Sequence, residues 1–264
     1  MKPSRRVIVA GGLAAAAGPA LAAPRAAGAW IAYEARLRAR LTDAGGGRFD
    51  PGLARGLLDL TNGARRAAGA APVAWHPALA ETARAHAADL AQRDYVEHLT
   101  PEGFDPTDRL GLLGRRLIGS AAENIAYRRG GPPHTAGDLM ATWRRSRPHW
   151  INLLREHHTH VGYGVARLGE RSYAVGLYAA PDGELAADLP FQPRSPAPLM
   201  AAMQGLGDRY MGVWLDDELN DGRRVAVDAG PLPRGVYRLR IDKRMGGSLY
   251  TSLFGPIIAW SGAA

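Results

Sequence analysis

The sequence predicts a mixed α+β protein, in which amphipathic helices precede a β-hairpin. Three stretches, at 53–67, 79–90 and 139–147, have the apolar spacing of amphipathic helices. Residues 161–166 then alternate valine or tyrosine with glycine or alanine, and 172–179 repeat the period of two, which is typical of a β-hairpin. Of the 264 residues, 46% are hydrophobic and 22% charged, which suits a packed core and excludes global disorder.

The chain begins like an exported protein. Lys2, Arg5 and Arg6 precede an apolar run at 7–17, and residues 20–22 (ALA) have the small-x-small pattern of a cleavage site. The adjacent arginines also resemble a twin-arginine signal, so both the Sec and the twin-arginine route stay open. We therefore expect a periplasmic or extracellular protein with no transmembrane segment after removal of the signal.

Composition divides the chain into five segments. We assign 1–22 to the export signal peptide, 23–49 to an N-terminal helix and glycine linker, 50–180 to the main domain, 181–198 to a proline-rich linker and 199–264 to a small β-rich module. The last segment contains three alternating or β-branched runs that predict strands at 210–215, 224–227 and 235–242. Such a module is marginal as an independent core, so we expect it to pack on the main domain.

Charge and cysteine content limit the possible functions. The formal net charge of +8 comes almost entirely from arginines, whose clusters are only short doublets, without the dense basic stripe and interleaved aromatics of a nucleic-acid-binding protein. We expect no nucleic-acid partner. The chain has no cysteine, so any metal would be held by His, Asp or Glu side chains.

Three polar residues lie where a site is expected. His98 is in a non-periodic stretch followed by prolines and glycine, Glu123 stands among small and apolar residues in AENIA, and His149 follows the helix break at Pro148. A carboxylate in apolar surroundings needs a specific partner. His86, by contrast, lies on the apolar face of a predicted helix and is interpreted as a hydrogen-bonded core residue.

These motifs, in this order, resemble the CAP superfamily of cysteine-rich secretory, antigen 5 and pathogenesis-related 1 proteins, in its bacterial cysteine-free branch. The resemblance rests on His98 before PEGFDPTDR, on Glu123 in AENIA and on His149 in SRPHWINLL, and it covers about half of the chain. It implies a three-layer α-β-α sandwich in which the three residues converge in a central cleft. The second glutamate of the eukaryotic pattern is missing, because the chain reads WRRS at 143–146.

The resemblance implies a binding protein for a small apolar or lipid-like ligand or a cell-envelope component. A second hypothesis is a zinc-dependent envelope hydrolase, because two imidazoles and a carboxylate are the minimum set for a zinc site with an open position. In it, His98 and His149 would hold Zn²⁺ and Glu123 would position the water. A third is an interaction scaffold with a vestigial cleft.

Two further residues are accessory candidates. Ser146 is the hydroxyl nearest to a histidine in the motif cluster, but no oxyanion loop accompanies it. The HHTH run at 157–160 is interpreted as a solvated loop, from which His160 could reach the cleft if the loop folds back.

Overall fold

The computed structural model describes residues 25–131, 133–207, 209–227, 232–246 and 249–262. The predicted export signal at 1–22 lies outside these ranges. The helices are α1 (Ala27–Ala39), α2 (Pro51–Ala67), α3 (Pro77–Arg93), α4 (Pro106–Leu113), α5 (Ala136–Arg145), α6 (Arg147–Leu154) and α7 (Ala197–Ala202). The strands are β1 (Arg48–Phe49), β2 (Ala74–Trp75), β3 (Leu117–Ile118), β4 (Ala121–Arg129), β5 (His160–Leu168), β6 (Arg171–Ala179), β7 (Gly183–Glu184), β8 (Gly212–Asp217), β9 (Arg223–Ala226), β10 (Gly235–Gly246) and β11 (Leu249–Trp260).

A central sheet separates two layers of helices. Its strands follow the order β1-β5-β6-β4, with β2 pairing in parallel beside β1 on the same edge of β5. One face packs against α3 and α4 through a buried cluster that includes Leu79, Leu110 and Leu177. The other packs against α2, α5 and α6 through a cluster that includes Leu57 and Trp143. The α+β class predicted from the sequence is confirmed, with the layers in the order α-β-α.

Side-chain caps fix where the helices begin. Asp50 precedes α2, and its Oδ1 accepts a hydrogen bond from Leu53 N at 3.0 Å, while Pro51 occupies the first helical position. At α4, Asp105 and Asp108 form a reciprocal capping box. These caps set the direction of α2 and of α4, the short helix that carries part of the site.

Glycines in β5 let α3 lie directly on the sheet. A Cβ at Gly164 would lie 2.2 Å from Arg84 N, and one at Gly162 would lie 2.0 Å from Ala80 N. The glycine face predicted from the sequence is thus the face that α3 covers. Gly176 in β6 pairs with Tyr163 and so lies on the opposite face, where it makes room for the Tyr163 ring.

The C-terminal part of the chain forms an antiparallel sheet in the order β11-β10-β8-β9. In β10, Tyr237, Leu239 and Ile241 are buried, as their alternation predicts. Arg238 is buried too, because it faces the main domain and its Nη2 donates to Asp108 Oδ1 at 2.7 Å. The second sheet therefore packs on α4 and does not stand alone.

The segment expected to be a linker is attached to both parts. Gly183 and Glu184 pair with β3, and Leu185 and Leu189 are fully buried in the cluster that also holds the β10 side chains.

At the other end of the chain, Tyr33 of α1 stacks on Phe104 with ring centroids 4.1 Å apart. Within the described ranges, no helix combines the length and the apolar character needed to cross a membrane.

Candidate functional site

The site is built around the carboxylate of Glu123, near the start of β4. Its side chain is 1% exposed. Arg109 Nη2 donates to Glu123 Oε1 at 3.0 Å and to Oε2 at 2.8 Å, and His98 Nδ1 lies 2.8 Å from Oε1. The structure therefore brings His98 and Glu123 into direct contact, and it adds a buried arginine to them.

Arg109 was not identified by the sequence analysis. It lies in α4, is fully buried, and also donates to His98 O at 3.0 Å and Phe104 O at 3.2 Å, which fixes the loop before α4. The sequence does contain an indication, since DRLGLL places one arginine in an otherwise apolar helical turn. A charge buried there needs an opposite charge, and Glu123 was the carboxylate in need of a partner.

The ion pair keeps Glu123 charged. Burial by itself raises the pKa of this carboxyl, but Arg109, His86 and the His98 hydrogen bond outweigh it and lower the pKa from 4.5 to about 2. At neutral pH the side chain is thus a carboxylate whose oxygens already accept hydrogen bonds from protein donors. It is poorly suited to act as a general base.

His86 borders the same carboxylate from α3. It is fully buried, its Nε2 lies 3.3 Å from Glu97 O and 3.9 Å from Glu123 Oε1, and burial lowers its pKa to about 3, with Arg109 adding to the effect. The imidazole is therefore neutral at pH 7. His86 is a hydrogen-bonded core residue, as expected, and it also forms the inner wall of the site.

His149 reaches the site from the other helical layer. The ring centroids of His98 and His149 are 6.4 Å apart, and Asn124 Nδ2 donates to His149 O at 2.9 Å, which ties α6 to β4. Burial, helped by His98, lowers the pKa of His149. The two histidines thus meet at the end of β4 where the helical layers converge.

Neither accessory candidate has, in the ranges that the structure describes, a side-chain hydrogen bond to His98, Glu123 or His149. Among the described residues, no hydrogen bond joins the Ser146 hydroxyl to a histidine, and the His160 ring lies against His76, with centroids 5.6 Å apart. The expectation of a solvated HHTH loop is wrong for His158. That side chain is 3% exposed, and its Nε2 lies 3.3 Å from Asn152 Oδ1.

The side chains present do not fit a three-ligand zinc site. In the part of the chain that the structure describes, no group of three or more His, Asp or Glu side chains is placed to hold a metal ion. Glu123 is occupied by Arg109, whose positive charge opposes a cation beside it. Only His98 and His149 remain as candidate ligands, and zinc usually has three or four protein ligands.

The central part of the chain is similar to known proteins. Residues 58–178 match the family model described as CAP, Cysteine-rich secretory protein family. Two curated proteins of Bacillus subtilis (strain 168) are similar. "Uncharacterized protein YkwD" is 29% identical over 113 residues, which are 43% of this chain and 42% of YkwD. "Uncharacterized membrane protein YlbC" is 36% identical over 112 residues, which are 42% of this chain and 31% of YlbC.

The aligned region thus spans less than half the length of each curated relative. Two solved structures are also similar. An outer surface protein from Borrelia burgdorferi is 14% identical, with a TM-score of 0.44, over 52% of this chain and 99% of that chain. An extracellular protein containing an SCP domain from Bacillus anthracis is 26% identical, with a TM-score of 0.42, over 48% of this chain and 41% of that chain.

Proposed function

We propose that this protein, whose residues 58–178 match the family model of the CAP domain, is an exported, non-enzymatic binding protein. Its cleft at His98 and His149 takes a small apolar or lipid-like ligand, either free or as part of a cell-envelope component. The observation that carries this proposal is the state of Glu123. A carboxylate that is 1% exposed and bound by Arg109 through both oxygens holds the cleft together and is not available as a general acid or base.

The exposed part of the cleft supports an apolar ligand. The His98 side chain is 49% exposed, and Val96, Leu99 and Ile151, each within two residues of one of the two histidines, are 40%, 54% and 48% exposed. We propose that these neighbours in sequence also border the cleft, since exposed apolar side chains beside polar groups are typical of binding surfaces. The two imidazoles would then orient the ligand by hydrogen bonds, with His149 in its neutral form at pH 7.

Binding of Nile red, an uncharged apolar dye whose fluorescence rises in apolar surroundings, tests this function. We expect saturable binding to the purified chain, weakened about tenfold by Leu99→Ser, because burying a leucine side chain stabilises by about 1.5–3 kcal/mol. The matched control is Met200→Ser, since Met200 is 58% exposed and belongs to α7. Non-saturable binding, or equal affinities of the two variants, would contradict the proposal.

The zinc-dependent hydrolase is the second candidate, and the proximity of the His98 and His149 rings is the observation in its favour. If zinc binds there, the two imidazoles would be its protein ligands, one fewer than the three of an open catalytic zinc site. Calorimetric zinc titration of the chain and of the His98→Ala/His149→Ala double variant separates the candidates. Saturable binding that the double variant loses would favour the metal site, whereas equal heats for both proteins would remove it.

A further inference from the structure

A cavity of about 300 Å³ opens at the edge of the central sheet opposite to β4. Phe49 of β1 and Trp75 of β2 line it, and Gly164 of β5 contributes to its floor. Since β1 and β2 both pair with β5 and Glu123 lies on β4, the strand order places this cavity away from the histidine cleft. Its volume is at the lower end of the range for small-molecule sites.

Two arginines in this cavity make cation–π contacts with its aromatic side chains. The guanidinium carbon of Arg55 lies 3.9 Å from the centroid of the Trp75 ring, and that of Arg84 lies 5.5 Å from the centroid of Phe49. A cation–π contact does not use the N–H groups of a guanidinium, which remain available for hydrogen bonds.

Neither guanidinium has an anionic partner in the described part of the chain. No hydrogen bond or ion pair to Arg55 or Arg84 is present there, and Arg84 Nε is buried without an acceptor. The Asp50 carboxylate, which also lines the cavity, already accepts from Leu53 N and pairs with Arg167 at 2.9 Å. A buried charged donor without an acceptor is costly, so an anion that pairs with Arg84 relieves this cost, and the exposed Arg55 adds a second positive charge at the same cavity.

The shape and chemistry of the walls define the rest of the ligand. The rings of Phe49 and Trp75 and the small side chain of Ala80 offer flat apolar surface next to the two guanidinium groups. A planar carboxylate matches the fork of an arginine in a bidentate pair. We propose that this cavity binds a small planar carboxylate with an aromatic or similarly flat body, whose carboxylate is held by Arg55 and Arg84.

Calorimetric titration of the full chain with 2-naphthoate, and with the uncharged 2-naphthamide, tests this site. We expect saturable binding of naphthoate with one site per chain and at least tenfold weaker binding of naphthamide. Arg55→Gln and Arg84→Gln should each weaken naphthoate binding at least tenfold. Arg66→Gln is the matched control, because Arg66 is an exposed arginine on the same helix as Arg55, and its variant should bind like the original chain.

Three further measurements make the outcome decisive. Arg55 is exposed, so Arg55→Lys should fold normally while it loses the planar fork, and it should also weaken binding. Glu81→Gln removes a like charge from the lining and should strengthen binding. His98→Ala should leave it unchanged. Absence of saturable naphthoate binding, equal affinity for naphthamide, or Arg55 variants that bind like Arg66→Gln would overturn the proposal.

Discussion

On the face of the central sheet that packs against α3 and α4, the buried polar groups include an ion pair, Arg109 with Glu123. On the opposite face, they form a chain of hydroxyl groups. Thr61 Oγ1 lies 2.6 Å from Tyr163 Oη, which donates to Tyr178 Oη at 3.0 Å. The first face holds opposite charges in contact, and the second satisfies neutral groups by hydrogen bonds.

The second face also contains a buried cation, but this cation is hydrogen-bonded to neutral groups. Arg65 is fully buried, and it donates to the backbone carbonyl oxygens of Ala71, Leu153, Arg155 and His158 at 2.6–3.0 Å. A guanidinium surrounded by carbonyl oxygens ties the loops around it to α2 without a carboxylate. The Glu123 face thus concentrates opposite charge at one point, where the cleft lies, whereas the Arg65 face distributes its polar contacts over backbone carbonyl groups.

The largest effect should follow removal of the cation from the charged face. Arg109→Ala leaves the buried Glu123 carboxylate without its main partner, which typically costs about 3–5 kcal/mol of the free energy of unfolding. Urea denaturation at pH 7 measures this loss. Arg66→Ala, on an exposed arginine, should change the same quantity by no more than about 0.5 kcal/mol. A similar small change for both variants would show that Glu123 does not depend on Arg109.

The loss of the free energy of unfolding in Arg109→Ala should also depend on pH. The pKa of Glu123 is about 2 in the folded protein and 4.5 ordinarily, so the folded state takes up the proton less readily. The stabilisation is therefore complete above about pH 4.5 and is lost as the pH falls toward 2. We expect the difference between the original chain and Arg109→Ala to shrink over that interval, and a difference that grows on acidification would contradict the assignment.

A smaller effect should come from the close contact of α3 with the sheet. In Gly164→Ala, the new Cβ would lie 2.2 Å from Arg84 N, so strand and helix must separate, which typically costs about 1–3 kcal/mol. Gly63→Ala in α2 is the control, because nothing lies within 4 Å of its Cβ position, and it should stabilise by about 0.5–1 kcal/mol. Urea unfolding of both variants should give opposite signs, and equal signs would argue against the close contact.

The smallest effect should come from the neutral face. Tyr163→Phe removes the hydroxyl between Thr61 and Tyr178 and should cost about 1 kcal/mol of the free energy of unfolding. Burial raises the pKa of Tyr163, so the hydroxyl stays protonated throughout the acid range and the loss should be the same at pH 7 and pH 4. A loss that varies with pH would show that this network is coupled to a titrating group.

The layers of the main domain could be predicted because their periodicities are local and their motifs resemble a known family. The last strand, β11, could not be predicted from the sequence. β11 contains Gly255 and Pro256, and proline inside a run argues against a strand. Both residues lie at the register shift between β10 and β11 that falls between Arg238 and Arg240, and there the proline needs no ladder hydrogen bond. This exception depends on the partner strand, which the local sequence does not reveal.

The site was predictable in part for a similar reason. His98 and Glu123 were identified by their surroundings and motifs, and the structure brings them within 2.8 Å. Arg109 was missed because an arginine on a helix is usually exposed, and its burial results from packing between α1, α3 and the sheet. His160 was placed near the cleft only by assuming that its loop folds back, whereas its pairing in β5 directs it to His76.

Adjacent residues of α4 serve both parts of the chain, since Arg109 binds Glu123 in the cleft and Asp108 binds Arg238 of the second sheet. A fragment that ends at residue 198 would leave the Asp108 carboxylate without Arg238. It would also uncover the contact at Gly111, where a Cβ would lie 2.9 Å from Ile257 Cγ1. The CAP domain and its C-terminal module are therefore poor candidates for exchange between proteins as independent units. A different module could replace this one only if it offered α4 a matching arginine and an equally close apolar side chain.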